Sequence, residues 1–154
     1  MDRKIEGIWE YGGEILASVL LLVALNQLIG LEVLRDWLVH KKADLANMLI
    51  IAATATAITC SGFFAMLATE FGLQLRQAGE AKAYATAFVF PLMLFATTFA
   101  LLTLGPIENT QKFDDLLVFL LIYSSLNLLT MIKNVIGLTT LWQDVDRARK
   151  NGGL

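Results

Sequence analysis

Cysteine and histidine are almost absent from this chain, where Cys60 and His40 each stand alone among 154 residues. A single thiol cannot close an intrachain disulfide, and one Cys with one His cannot supply a structural zinc site or haem held between two histidines. Proline occurs only at Pro91 and Pro106, which leaves long stretches free to stay helical. Charge is scarce too, at 17% of residues against 56% hydrophobic. Soluble domains carry about 25% charged residues, so this chain has too few to cover a fold in water. A net charge of −2 gives no cationic field, which excludes nucleic acid as a partner.

The placement of the charges decides the class. All 12 Lys and Arg and all 14 Asp and Glu lie outside four apolar runs: Ile15–Leu31, Leu45–Thr69, Ala83–Ile107 and Leu116–Ile132. A helix needs about 20 mostly apolar residues to cross a bilayer, with roughly 17 as the lower limit. A soluble bundle would instead repeat charge along one face of every helix. The expected fold is all-α: an integral membrane four-helix bundle forming a single domain over 1–154, with amphipathic flanking helices. The spans are set at about 15–34, 45–69, 83–105 and 115–138, with a helical extension over 135–150. The first run passes through Asn26, Gln27 and Leu28 without a small-x-small cleavage site, so it reads as a retained span. With four spans, both termini share the side that carries eight of the 12 Lys and Arg residues, which the positive-inside rule makes cytoplasmic. The expected location is the inner membrane, crossed several times.

Shorter features refine the picture. Ile5, Ile8 and Trp9 fit an interfacial helix that turns at Gly12-Gly13, or an extension of the first span. Leu31–His40 reads as an amphipathic helix at the outer surface, with Asp44 placed to cap the second span. Pro91 is expected to kink the third. Asp114 and Asp115 suit the start of the fourth, where carboxylates meet the positive end of the helix dipole.

Two rows of residues are candidate sites. Ala53, Ala57, Ser61 and Ala65 recur every four positions, a ladder of small side chains that lets helix backbones approach closely. Tyr123, Asn127, Thr130 and Asn134 share one face of the fourth span. In hydrocarbon such groups must find partners. They form an interhelical hydrogen-bond seam or, on the alternative reading, line a polar path at a subunit axis. Beyond the span, Val135, Leu138, Trp142 and Val145 continue as a stripe that needs a cover: the membrane surface, a sister subunit or a cytosolic partner. Arg76 in the inner loop, with Trp142, Arg147 and Arg149, makes up the expected partner surface.

Catalytic chemistry has no foothold. No acid pair or Lys stands inside any of the four apolar runs, and Cys60 falls mid-bilayer as a packing residue. His40 has no nucleophile near it in sequence, and neither a phosphate-binding glycine loop nor metal-ligand spacing occurs. No enzyme, cofactor or metal is expected.

In size and layout, the four short uncharged spans, small outer loops and cytoplasmic Trp142–Lys150 helix resemble the small four-span membrane subunits of bacterial phage-defence and exclusion systems, such as that of Kiwa. The resemblance implies a homo-oligomeric subunit that senses an insult to the envelope and holds a cytosolic effector. The expected function is a non-catalytic oligomeric inner-membrane sensor or anchor for a cytosolic protein, in contact with membrane lipids. The alternative is a homo-oligomeric ion channel or depolarising effector.

Overall fold

A computed structural model describes residues 3–105 and 111–150, with side chains described for 12–105, 112–147 and 150. The described residues form five helices: α1 (Arg3–Leu28), α2 (Leu31–Met66), α3 (Glu70–Gln77), α4 (Ala81–Leu104) and α5 (Gln111–Lys150). The scarcity of breakers explains their length. α1 runs straight through Gly12 and Gly13, so the charged start and the apolar run are one helix.

The first joint falls at Ile29-Gly30, within the stretch 15–34 assigned to the first span. Gly30 has φ 84° and ψ 142°, a region essentially closed to residues with a Cβ. The Asn26 carboxamide oxygen accepts from the Leu31 amide at 3.2 Å, satisfying one of the free donors at the start of α2. From there α2 continues unbroken to Met66. The expected boundary at Asp44 is therefore corrected: Asp44 is an interior residue exchanging an ion pair with Lys41, not a cap. No glycine or proline lies between Leu31 and Asp44, so nothing stops the helix. α4 passes through buried Pro91 as one helix and ends at Gly105.

Three of these helices, α2, α4 and the Lys112–Arg147 part of α5, are long and apolar enough to cross a membrane; the apolar part of α1, Gly12–Leu28, is shorter. At 36 residues, α2 is about 54 Å long, well beyond the roughly 30 Å hydrocarbon core.

Cross-links set the packing. Arg35 pairs with Asp115 and Thr56 with Met131, so α2 and α5 run in the same direction. α4 runs against both, with Phe63 of α2 beside Phe88 at 5.2 Å between ring centroids and Thr98 beside Ser124 of α5. α1 packs chiefly on α5, with Leu22 against the core that holds Leu117 and Val118 and Leu25 beside Leu121; Ser18 of α1 is fully buried. Two apolar cores result. One gathers Leu38, Leu49, Phe95, Leu102, Leu117 and Val118 near the starts of α2 and α5. The other gathers Cys60, Phe63, Phe71, Leu75, Phe88, Met131 and Leu138 at the α3 end.

This register offsets the uncharged runs. Lys133 follows Met131, which is level with Thr56, so the exposed Lys133 sits at a depth where α2 has only uncharged residues. Its four-carbon stem lets the ammonium reach toward headgroups.

Candidate functional site

Between the two cores lies a layer of buried polar side chains, with Thr56 from α2, Thr98 from α4, and Ser124 and Asn127 from α5. Membrane helices place such groups inward because lipid offers them no partner. Thr98 Oγ1 and Ser124 Oγ lie 3.2 Å apart. Thr56 Oγ1 donates to the Ala52 carbonyl at 2.7 Å and touches Met131 Sδ at 3.2 Å. Asn127 Nδ2 donates to the Tyr123 carbonyl at 3.0 Å. Tyr123 stacks on Phe119 and meets Phe90 edge-on. Of the polar face read from the sequence, Tyr123 and Asn127 are buried within the chain, whereas Thr130 and Asn134 are half-buried. Thr56, Thr98 and Ser124 were not singled out, because each has other hydroxyl residues near it in its run (Thr54 and Thr59, Thr97, Ser125) and nothing in the sequence tells which of them turns inward. Glu14 of α1 lies within electrostatic reach of Tyr123, and one of its carboxylate oxygens is buried without a hydrogen-bond partner.

The small-residue ladder divides. Ala53 and Ala57 are half-buried, while Ser61 and Ala65 face outward. The most buried row of α2 is Leu49, Thr56, Cys60 and Phe63, and Ala53 packs beside it against the core that holds Leu49.

The stripe that continues α5 finds a cover within its own chain. Leu138 is buried in the core that holds Phe71 and Leu75 of α3, and Val135 and Val145 pack against the same cluster. The three covers considered from sequence all lay outside the chain, so this is a correction. The signal that could have found it is Phe71 and Leu75, which are i, i+4 neighbours on one helical face of the inner loop. α3 is held against the end of α2 by close approach: a Cβ at Gly72 would collide with the Leu67 backbone.

Trp142 escapes this cover and is half-exposed. It lines a groove of about 840 Å³ with Met66, Thr69, Glu70, Phe71, Gln74, Val145 and Asp146. The groove has an apolar floor and a polar rim, the composition of a protein-binding surface. Arg76 is exposed in the last turn of α3, and Arg147 is exposed beside Asp144 at 3.5 Å. The Arg149 side chain lies outside the described residues.

At the opposite end Arg35 grips Asp115 in a forked pair, Nη2 to both carboxylate oxygens at 2.7 and 2.9 Å and Nε to one at 2.9 Å. The sequence assigned Asp115 to the helix dipole; the partner 80 positions away had no sequence signal. Cys60 is a buried free thiol, and His40 is exposed with Nδ1 2.8 Å from the Asp36 carbonyl. Among the described residues no cluster of His, Cys, Asp or Glu could hold a metal ion.

Three long apolar helices, with Thr56, Thr98, Ser124 and Asn127 buried among them, are the marks of a helical membrane bundle. A scan of protein-family models found no match to the chain, and searches of curated proteins and of solved structures found none either.

Proposed function

We propose that this protein is a non-catalytic four-span subunit of the inner membrane, with both termini cytoplasmic, that self-associates and docks a cytosolic protein at the α3–α5 end. The groove around Trp142 carries the reading: it is rigidly built, since Phe71 and Val145 on its walls belong to a packed core, yet it leaves a large aromatic side chain half-exposed. Aromatic side chains of this kind dominate protein interfaces. The outward-facing Ser61 supplies a point at which a second copy can pack closely, while Ala65 lines the Trp142 groove itself. Envelope insult is the stimulus implied by the resemblance to phage-defence subunits.

A photo-crosslinker in place of Trp142, followed by purification in mild detergent, tests this. Recovery of a specific cytosolic companion and of oligomers is expected. Recovery of monomer alone, with no reproducible adduct, would sink the proposal.

The buried seam supports packing over conduction, because Thr56, Thr98, Ser124 and Asn127 bond within one chain. Reconstituted protein is expected to pass no ionic current; a current altered by Asn127→Leu would favour the channel instead.

A further inference from the structure

A second groove, of about 460 Å³, opens where α1 ends and α2 and α5 begin. Leu25 of α1, Val33, Trp37 and Leu45 of α2, and Leu121 and Ser125 of α5 line it. Apart from the Trp37 indole, Ser125 has the only polar side chain in this lining, and its hydroxyl already donates to the Leu121 carbonyl at 2.9 Å. An occupant therefore meets carbon along its whole length. A peptide strand would bring backbone groups that nothing here satisfies, and water needs two to four polar partners. A hydrocarbon chain has neither requirement.

The rim is polar along α2 and at the start of α5, where Asp115, one turn before Val118, pairs with Arg35. On α2, Lys41 lies one turn from both Trp37 and Leu45 and pairs with Asp44 at 3.2 Å, and His40 is exposed beside it. The Trp37 indole is half-exposed, as is usual for tryptophan at headgroup depth. Facing this charged flank are the uncharged α1 and α5 runs. A hydrocarbon floor beside a charged, Trp-bearing wall has the polarity of a lipid molecule.

We propose that this groove holds one acyl chain of a membrane phospholipid, with its headgroup against the charged flank of α2 around Lys41. The site depends on the chain being membrane-embedded, but not on the span count, the orientation or the cytosolic partner.

Native mass spectrometry after mild delipidation tests it, on the wild type and on a variant whose groove is filled from two exposed positions, Val33→Phe with Ser125→Phe. Ile51→Phe, on the outer face of α2, serves as control. One retained phospholipid per wild-type chain is expected, with occupancy unchanged in the control. The filled variant should bind about tenfold more weakly, equivalent to about 1.4 kcal/mol. A second readout uses protein whose only tryptophan is Trp37 (Trp9→Phe, Trp142→Phe) in vesicles of brominated phosphatidylcholine. Quenching of Trp37 that the filled variant abolishes supports the site. Equal retention and equal quenching in wild type and filled variant would overturn it. So would loss of dimer rather than of lipid on filling, since a second copy would then be the occupant.

Discussion

Arg35 and Asp115 show how a pair can hold two membrane helices in register without lying deep in the bundle. Their side chains are 18% and 34% exposed, so part of the Coulomb attraction is screened. The coupling should fall between a surface pair, worth less than about 1 kcal/mol, and the roughly 3–5 kcal/mol lost when one member of a fully buried pair is removed. Thermal unfolding in detergent of Arg35→Ala, Asp115→Ala and the double variant is expected to give a coupling of about 1–2 kcal/mol. Arg35→Lys should recover only part of it, because an ammonium cannot reproduce the two parallel bonds of a guanidinium. The hydroxyl pair Thr98–Ser124 is a weaker clamp: interhelical hydrogen bonds in membranes average about 0.6 kcal/mol, so Thr98→Val should cost little. Its use is orientation, since it prescribes which face of α4 meets α5.

Gly30 is the joint on which α1 and α2 turn. A Cβ there meets nothing within 4 Å, so the penalty of Gly30→Ala is purely conformational, about 1–3 kcal/mol. Faster proteolysis between α1 and α2, with the rest of the chain resistant, is the expected result. The lower half of α2, most of α4 and the extension of α5 were legible because charge, proline and glycine bracket them. The Leu31–Asp44 part of α2 was misread because its amphipathic pattern resembles a separate surface helix, and periodicity cannot tell a separate helix from a continuous one. The breaker at Gly30 and the lack of any breaker before Asp44 held the information. The docking of α3 was illegible for another reason. At eight residues it is too short to be stable alone, and it gains its place only from the cores of α2, α4 and α5.

For the molecule as a whole, the expected orientation rests on loop charges. Reporter fusions at the N-terminus and after Leu154 should both report the cytoplasmic side, and a reporter inserted beside Lys112 the opposite one. A split result would leave three spans, with α1 outside the bilayer. The Trp142 groove was only half legible, as Trp142 and Arg76 stand out in sequence while Phe71 appears as one apolar residue in a polar loop.

The pairing of α1 with α5 bears on how the protein is made. α1 is synthesised before the other four described helices, yet its main contact is with α5. About 80 residues separate Leu28 from Gln111, which at about 5–20 residues per second is roughly 4–16 s of translation. During that interval the earlier helix must wait without its main partner. A ribosome stalled in α4 would therefore release a chain in which α1 lacks its main docking face, a form that quality-control proteases are placed to meet.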